Sequence, residues 1–321
     1  MLSATQHAAV TSDAARPLQI LAGPGSGKTR VLTSRVAWLV RDSATPIAPE
    51  RCVVVTFTNR AANEMRARLE SMIGADRTRR LVLGTFHAVC VRFLRRWGTR
   101  LGLDPRFTIA DTDDARRLLR DVDRDADAAL SAISRAKAHG WTPDELRASG
   151  THAPGSPGHA EHLALCRTYA AYQQQLRASH ALDFDDLLLL GVRLFREHPE
   201  LTAHIDHVLV DEFQDTNAVQ YELLCRLSPH VSVVGDPDQS IYSWRHADMR
   251  HIERMHLDFP GLHRVLLEEN YRSTPQILDA ALSVMQQDPL RIPKGLYTAL
   301  ASGPPVVVRA CHDADDEALL V

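Results

Sequence analysis

The stretch Ala22-Gly23-Pro24-Gly25-Ser26-Gly27-Lys28-Thr29 decides the fold, because it joins an apolar run to a helical one through a glycine-rich loop. Glycines let a backbone approach an anionic ligand closely, and the positive end of the following helix dipole favours negative charge. The spacing G-x-x-x-x-G-K-[ST] predicts a phosphate-binding loop in which Lys28 reaches the β and γ phosphates and Thr29 binds Mg²⁺. The alternative is a loop with a solvated lysine, but the flanking strand and helix supply the context that the motif needs.

Further apolar runs of strand length alternate with helical segments along the chain. The predicted strands cover residues 18–21, 52–57, 81–84, 205–210 and 231–235. Strands that follow helices through short connections favour an α/β fold with a parallel sheet, of the P-loop NTPase type. Ligands of such a sheet bind at the carboxyl ends of its strands, where the loop before Lys28, Phe57 and His87 are expected.

The length of 321 residues and the apolar content of 45% suffice for two domains with their own cores. Residues 103–181 are mostly helical in pattern, and we expect them to form an all-helical subdomain inserted into an α/β domain made of 1–102 and 182–262. From residue 263 we expect the beginning of a second α/β domain, over 263–321. Its predicted strands are 263–267 and 306–309, too few to bury a sheet of their own.

Composition excludes several classes of protein. The net charge of −3 does not indicate a nucleic-acid partner, so such a partner must be argued from local charge. The five cysteines are scattered, which fits a reducing compartment without structural zinc. We expect neither secretion nor membrane insertion, since the chain has no basic and apolar leader and no apolar run near the roughly 20 residues of a membrane span.

Local charge is strongly basic between residues 60 and 100. Ten arginines stand there against Glu64, Glu70 and Asp76, an excess of seven positive charges. Phe57 and Phe86 lie at predicted strand ends beside this region. Backbone charge and base stacking together favour binding of single-stranded nucleic acid. The alternative is that the arginines occupy the solvated faces of two helices.

Two later strand ends carry side chains suited to phosphate chemistry. Asp211 and Glu212 follow the strand 205–210, where one carboxylate could hold Mg²⁺ and the other could take a proton from an attacking water, although acids also follow strands by chance. After the strand 231–235, Gln239 could hydrogen-bond a γ-phosphate or the hydrolytic water. Trp244 offers either a stacking face for a base or a buried core side chain.

These motifs, taken in order, resemble superfamily 1 DNA helicases of the UvrD/Rep/PcrA type. The resemblance spans residues 2 to about 310 and rests on Gln6, the loop 22–29, Thr56-Phe57-Thr58-Asn59-Arg60-Ala61-Ala62, Gly84-Thr85-Phe86-His87, 183–188, Val210-Asp211-Glu212-Phe213-Gln214-Asp215-Thr216-Asn217, 234–245 and Glu269-Asn270-Tyr271-Arg272-Ser273. Details of 18–27 and 283–298 look closest to the fungal anti-recombination branch. The resemblance implies RecA-like motor domains, of which the second only begins in this chain.

The resemblance also implies ATP and Mg²⁺ as cofactors and a role for each matching residue. The implied catalytic residues are Lys28, Glu212, Gln239 and Arg272, with Gln239 and Arg272 sensing the γ-phosphate. The implied nucleotide contacts are Gln6 and Tyr271 with Arg30 at the adenine, and Gly23, Gly25, Ser26, Gly27, Lys28, Thr29 and Arg272 at the phosphates. Thr29 and Asp211 would bind Mg²⁺. Single-stranded DNA would lie across Phe57, Asn59, His87, Tyr242 and Trp244.

The resemblance implies a 3′-to-5′ helicase or translocase acting on single strands and on single-strand/duplex junctions in repair and recombination, without a membrane partner. It implies a nuclear location if the fungal branch holds, and otherwise the cytoplasm or nucleoid. His246 departs from the glycine usual in the family, and later motifs, with a further arginine, are missing. The alternative is therefore an ATP- and DNA-binding fragment without helicase activity. A kinase or GTPase is disfavoured because no N-K-x-D motif is present.

Overall fold

The computed structural model describes residues 1–150, 156–240, 248–287 and 291–320. Its strands are β1 (Leu18–Ala22), β2 (Cys52–Thr56), β3 (Val82–Thr85), β4 (Thr108–Ala110), β5 (Ala181–Asp183), β6 (His207–Val210), β7 (Val231–Gly235) and β8 (His263–Leu267). Six of them form one parallel sheet in the order β3-β2-β6-β7-β1-β8. The predicted parallel α/β fold is confirmed.

Helices connect these strands and cover both faces of the sheet. They are α1 (Ala4–Val10), α2 (Lys28–Ala37), α3 (Asn59–Ile73), α4 (Ala75–Arg80), α5 (Phe86–Trp97), α6 (Thr112–Arg120), α7 (Ala126–Ala138), α8 (Pro143–Ala148), α9 (Pro157–Ala178), α10 (Phe184–Glu197), α11 (Ala218–Leu227), α12 (Arg250–Asp258), α13 (Pro275–Met285) and α14 (Ala314–Leu320). Every residue of β1, β2 and β6 is buried. Such near-continuous valine and leucine runs are typical of parallel strands covered on both faces. Among the described residues, no helix has the length and apolar character needed to cross a membrane.

The insertion between α5 and α10 has its own core, built around Tyr169, Tyr172 and Ile133. The prediction of an all-helical insertion is wrong, because β4 pairs in parallel with β5 where the chain leaves and rejoins the main fold. This short pair escapes prediction because only three residues on each side form it. It fixes both ends of the insertion at one place.

The prediction that residue 263 begins a second sheet is wrong. Strand β8 pairs with β1 along its whole length, Leu18 opposite His263 and Ala22 opposite Leu267, and so completes the first sheet. The expected strand at 306–309 does not form, and those residues are exposed. A β-branched run becomes a strand only when a partner accepts its hydrogen bonds, and the described residues supply none at 306–309.

Candidate nucleotide and nucleic-acid site

The phosphate loop lies where β1 ends and α2 begins. Gly25 and Gly27 adopt positive φ values of +67° and +84°, which glycine tolerates without strain. A side chain on Gly25 would also meet Arg272 Cβ at 2.8 Å. The loop forms one wall of a cleft of about 560 Å³, within the usual size of small-molecule sites. Predicted site residues that line the cleft are Gly25, Ser26, Gly27, Lys28, Thr29, Arg30, Glu212, Gln239, Tyr271 and Arg272.

Lys28 is held by the loop that follows β7. Its Nζ donates to Gln239 Oε1 at 3.0 Å and lies 3.8 Å from Asp236 Oδ2. Gln239 Nε2 donates in turn to the same Asp236 oxygen at 2.7 Å. The two residues predicted to contact the γ-phosphate therefore touch each other, and a buried carboxylate that sequence reasoning did not assign orients both.

Of the two carboxylates that follow β6, Glu212 lines the cleft and Asp211 is buried. Burial and the neighbouring Glu212 carboxylate raise the pKa of Asp211 to about 7. Glu212 has φ +50°, a left-handed conformation that is uncommon outside glycine and that recurs at functional sites. Gln214 Nε2 donates to Glu212 Oε2 at 2.9 Å, while Gln214 Oε1 accepts from the Asp236 backbone at 3.0 Å. Gln214 thus fixes the predicted base against the loop that carries Gln239.

The residues present fit Mg²⁺. The Thr29 hydroxyl and the Asp211 carboxyl offer the hard oxygen donors that this ion prefers, and a cation would relieve the repulsion between Asp211 and Glu212. In the described ranges no group of three or more histidine, cysteine or acidic side chains could hold a metal. Mg²⁺ commonly uses one or two protein carboxylates with substrate phosphates and water, which this donor set allows.

The segment after β8 closes one side of the cleft. Asn270 Nδ2 donates to the Pro24 carbonyl at 2.7 Å, and the Tyr271 backbone donates to the Gly25 carbonyl at 3.0 Å. Asn270 therefore positions Tyr271 and Arg272 on the phosphate loop, although its own role was not predicted. Gly23 is covered by Leu296, since a Cβ there would lie 2.3 Å from that side chain.

Three of the residues expected around the adenine carry other contacts in this structure. Gln6 is buried in the capping box of α1, where its Oε1 accepts from Ser3 N at 3.0 Å and its Nε2 donates to the Ser26 carbonyl at 2.8 Å. Arg30 Nη2 donates to the Met1 carbonyl, and the Tyr271 hydroxyl donates to Glu269. Gln6 reaches the phosphate loop, but base contact would require these hydrogen bonds to exchange.

A second cleft, of about 380 Å³, lies beside the ends of β2 and β3. Phe57 and His87 both line it, as predicted for residues at neighbouring strand ends, and Asp215 and Asn217 line it from the β6 side. Phe86 also borders it but is only 2% exposed, so it serves mainly as core. Asn59 is exposed at the start of α3. Tyr242, Trp244 and His246 lie outside the described residues.

The basic region is partly neutralised. Four of its arginines form ion pairs with carboxylates, namely Arg68 with Glu64, Arg79 with Asp76, Arg80 with Glu50 and Arg100 with Glu200. Two of these carboxylates, Glu50 and Glu200, lie outside the stretch counted in the sequence. The solvated-face alternative therefore accounts for part of the arginine excess, and the nucleic-acid role of the rest stays a prediction.

Comparison with known proteins agrees with this arrangement. Residues 2–260 match the model of the UvrD/REP helicase N-terminal domain. The ATP-dependent DNA helicase PcrA of Leuconostoc citreum is 41% identical over 94% of this chain and 41% of its own length. The PcrA proteins of Staphylococcus aureus and Staphylococcus epidermidis are each 39% identical, over 95% and 94% of this chain and 43% and 42% of their lengths.

The chain spans about two fifths of the length of these curated relatives. All three are bacterial, so the narrower resemblance to the fungal branch, and the nuclear location tied to it, is unconfirmed. The family model covers the phosphate loop, the second cleft and the whole insertion, while Tyr271 and Arg272 of the first cleft lie beyond its matched range. On its sequence and its fold, the chain belongs to the UvrD/REP helicase family.

Proposed function

We propose that this chain carries the nucleotide site and the first DNA track of an ATP-dependent 3′-to-5′ DNA helicase, or single-stranded DNA translocase, acting in repair and recombination. The observation that carries the proposal is that one segment, 211–217, borders both clefts. Glu212 lines the cleft at the phosphate loop, while Asp215 and Asn217 line the cleft with Phe57. A change at the phosphates can therefore reach the second cleft through a few covalently linked residues.

In the proposed reaction Lys28 binds the β and γ phosphates and Glu212 accepts a proton from the attacking water. Gln239 and Arg272, which line the same cleft, contact the γ-phosphate. Mg²⁺, when bound by Thr29 and Asp211 together with the phosphates, would neutralise charge on the transferring group. The phosphate loop would contribute backbone N–H groups that are already arranged in a turn with Gly25 and Gly27 at positive φ, which limits the reorganisation needed as the transition state forms.

Single-stranded DNA is the proposed partner of the second cleft. Phe57 offers a ring at its edge, and aromatic stacking on bases is tolerant of sequence. Tyr242 and Trp244 are proposed to continue this track, on the strength of their motif. The polarity and the preference for single-strand/duplex junctions rest on the family resemblance. A place of action on the chromosome, in the cytoplasm or nucleoid, follows from the bacterial relatives.

The domain division is proposed with one change from the sequence expectation. The first motor domain comprises 1–102 and 182–267, since β8 completes its sheet. Residues 103–181 are the insertion. From residue 268 the chain would begin the second motor domain, whose first contribution to the nucleotide site is the segment 269–272.

A second candidate function is an ATP- and DNA-binding fragment without turnover. The observation that favours it is that the chain spans about two fifths of the length of its relatives, since the family resemblance implies a further arginine for the transition state that the sequence in hand does not show. Arginine fingers contribute on the order of 10³ to 10⁵ in rate.

One experiment separates the two candidates: ATP hydrolysis by this polypeptide and by Lys28→Ala, with and without an oligothymidylate. Turnover that DNA accelerates and that Lys28→Ala abolishes supports a motor. Binding of nucleotide and DNA with hydrolysis at background supports the fragment. Absence of nucleotide binding in the wild-type chain would overturn both.

A further inference from the structure

Lysine is rare in this chain and is placed at particular sites. Of the 37 lysines and arginines, only Lys28, Lys137 and Lys294 are lysines. The side chains of Lys137 and Lys294 are 0% exposed, and that of Lys28 is 12% exposed. Lysine presents a compact point charge where arginine presents a wide planar fork. The two fully buried lysines therefore mark positions where a small interior cation is needed.

Lys294 sits between two carboxylates of the loop that carries Gln239. Its Nζ contacts Asp236 Oδ1 and lies 3.0 Å from Asp238 Oδ2, to which Arg291 also donates at 3.0 Å. Asp236 is fully buried. Its other oxygen accepts from Gln239 and faces Lys28 at 3.8 Å. One carboxylate is thus shared between Lys294 on one side and the nucleotide cleft on the other.

The backbone around Lys294 is fixed to the nucleotide site. Leu296 covers Gly23 of the phosphate loop. Tyr297 N donates to the Glu268 carbonyl at 3.1 Å, and Asn270 N donates to the Tyr297 carbonyl at 2.7 Å. The ammonium group of Lys294 is therefore placed by a segment that rests on the same loops as the nucleotide would.

This geometry creates a competition for Lys28. A buried carboxylate must be paired with a cation or a set of donors, and Asp236 has Lys28 and Lys294 on opposite oxygens. Nucleotide phosphates would draw Lys28 away from Asp236, which is tolerable only if Lys294 continues to compensate that charge. If Lys294 were neutral, Asp236 would retain Lys28 and oppose the incoming phosphates.

We propose that Lys294 is a positioning residue of the nucleotide site, which compensates Asp236 so that Lys28 is free to bind phosphate while Gln239 stays aimed at the γ position. The proposal rests on the proposed ATP site and deepens it. It predicts that a residue far along the chain, with no contact to nucleotide, sets the availability of the phosphate-binding lysine.

The test is equilibrium titration of the 321-residue chain with a fluorescent non-hydrolysable ATP analogue and Mg²⁺. We expect Lys294→Met to weaken binding about tenfold or more, the scale of a lost buried charge partner. Lys137→Met is the matched control, because Lys137 is also 0% exposed and also lies between two carboxylates, Asp183 and Asp186, in the helical insertion. It should lower thermal stability comparably and leave nucleotide affinity within about twofold.

A charge-rescue variant separates positioning from mere folding. In the double variant Asp236→Asn with Lys294→Met both charges are removed, and we expect affinity to recover to within about threefold of wild type. Circular dichroism checks each fold, and Lys294→Gln, which is also uncharged, replaces methionine if that variant does not fold. Equal losses of nucleotide affinity in the Lys294 and Lys137 variants, or no recovery of affinity in the double variant, would overturn the proposed role of Lys294 and leave the proposed ATP site intact. A wild-type chain that binds no nucleotide would overturn the proposed function and this role together.

Discussion

Glu212 shows how a single residue is prepared for chemistry. Its backbone is left-handed, and its carboxylate accepts a hydrogen bond from Gln214. The backbone turn after β6 and this hydrogen bond together orient the Glu212 carboxylate. Asp211, one residue earlier, has a raised pKa because it is buried beside that second carboxylate. The two carboxylates therefore differ in exposure, with Asp211 the buried side chain proposed to bind Mg²⁺ and Glu212 the cleft-lining side chain proposed as the base.

We predict that Glu212→Gln binds the ATP analogue as wild type does but hydrolyses ATP about 10² to 10⁴ times more slowly in any form of the protein that turns over, since only proton acceptance is lost. Single-turnover hydrolysis and analogue titration measure the two quantities separately. A parallel fall in affinity and rate would remove Glu212 from the role of base and give it one in binding.

Phe57 lines the second cleft as part of the proposed DNA track. We predict that Phe57→Ala weakens oligothymidylate binding by about 1 to 3 kcal/mol, the usual contribution of one stacked base. Nucleotide affinity serves as the internal control, because the ring lines the second cleft and not the first. Unchanged DNA affinity in a normally folded variant would show that the ring only supports the sheet edge.

His207 gives a pH dependence of known sign. It is fully buried, and burial together with Arg35 holds the pKa of its imidazole well below the ordinary value. Arg35 Nε donates to Ser232 Oγ at 2.7 Å, and that hydroxyl lies 2.8 Å from His207 Nε2. Protonation of the folded ring would place a second cation in this network, so only the unfolded chain takes up the proton as pH falls.

The folded protein therefore loses stability as the pH falls below the unfolded pKa of about 6.5, by on the order of 1 kcal/mol from His207 between pH 8 and 5.5. We predict that His207→Gln, which can still bond to Ser232, loses about that much less than wild type over the same range. Urea unfolding at both pH values measures the difference. Parallel losses in the two proteins would contradict the neutral buried state.

At the scale of elements, the sequence pattern predicted those helices and strands whose positions depend on neighbouring residues. The strands predicted at 18–21, 52–57, 81–84, 205–210 and 231–235 all form within one or two residues of those bounds, because each is a run of mostly apolar residues. The pairing partner of β8 could not be predicted, since nothing within 263–267 distinguishes an edge of the first sheet from the start of another. The run 306–309 has strong strand propensity and forms no strand, which shows that propensity alone is insufficient.

The residues of the candidate site also fall into those that short motifs predict and those whose roles depend on contacts between distant residues. Lys28, Glu212 and Gln239 could be predicted to lie together because each lies in a short motif at a strand end, and all three line one cleft. The roles of Asp236 and Lys294 were not predicted, because they depend on a contact between two residues that are 58 positions apart in the sequence. Gln214 lay within a recognised motif, yet its bridge between Glu212 and the Asp236 backbone depends on how two loops approach each other.

The helical insertion is joined to the motor fold by a buried charge cluster. Lys137 on α7 contacts Asp183 at 2.6 Å and Asp186 at 2.8 Å, and the Tyr172 hydroxyl donates to Asp183 at 3.0 Å. Because removal of one partner leaves uncompensated buried charge, we predict that Lys137→Met lowers the free energy of unfolding by about 3 to 5 kcal/mol. Denaturant unfolding gives the value, with the exposed Arg79→Met, which breaks a surface pair, as control. A decrease in the free energy of unfolding below about 1 kcal/mol would show that the cluster stabilises the protein no more than a surface ion pair does.

At the scale of the whole molecule, the sheet separates two clefts, and one segment borders both. The phosphate loop follows β1 near one edge, and the second cleft follows β2 and β3 at the other. Strand β6 lies between them in the sheet, and its following residues border both clefts. A motor needs this kind of shared element, because coupling between two sites requires groups whose position affects both.

The most direct test of this coupling is the affinity of the chain for the fluorescent ATP analogue with and without saturating oligothymidylate, repeated with Lys28→Ala. The account predicts that Lys28→Ala loses nucleotide binding and that DNA changes the wild-type affinity by about fivefold or more, the lower range of allosteric coupling. The reverse titration should show the same factor. Nucleotide affinity that is identical in Lys28→Ala, or that does not change with DNA, would contradict it.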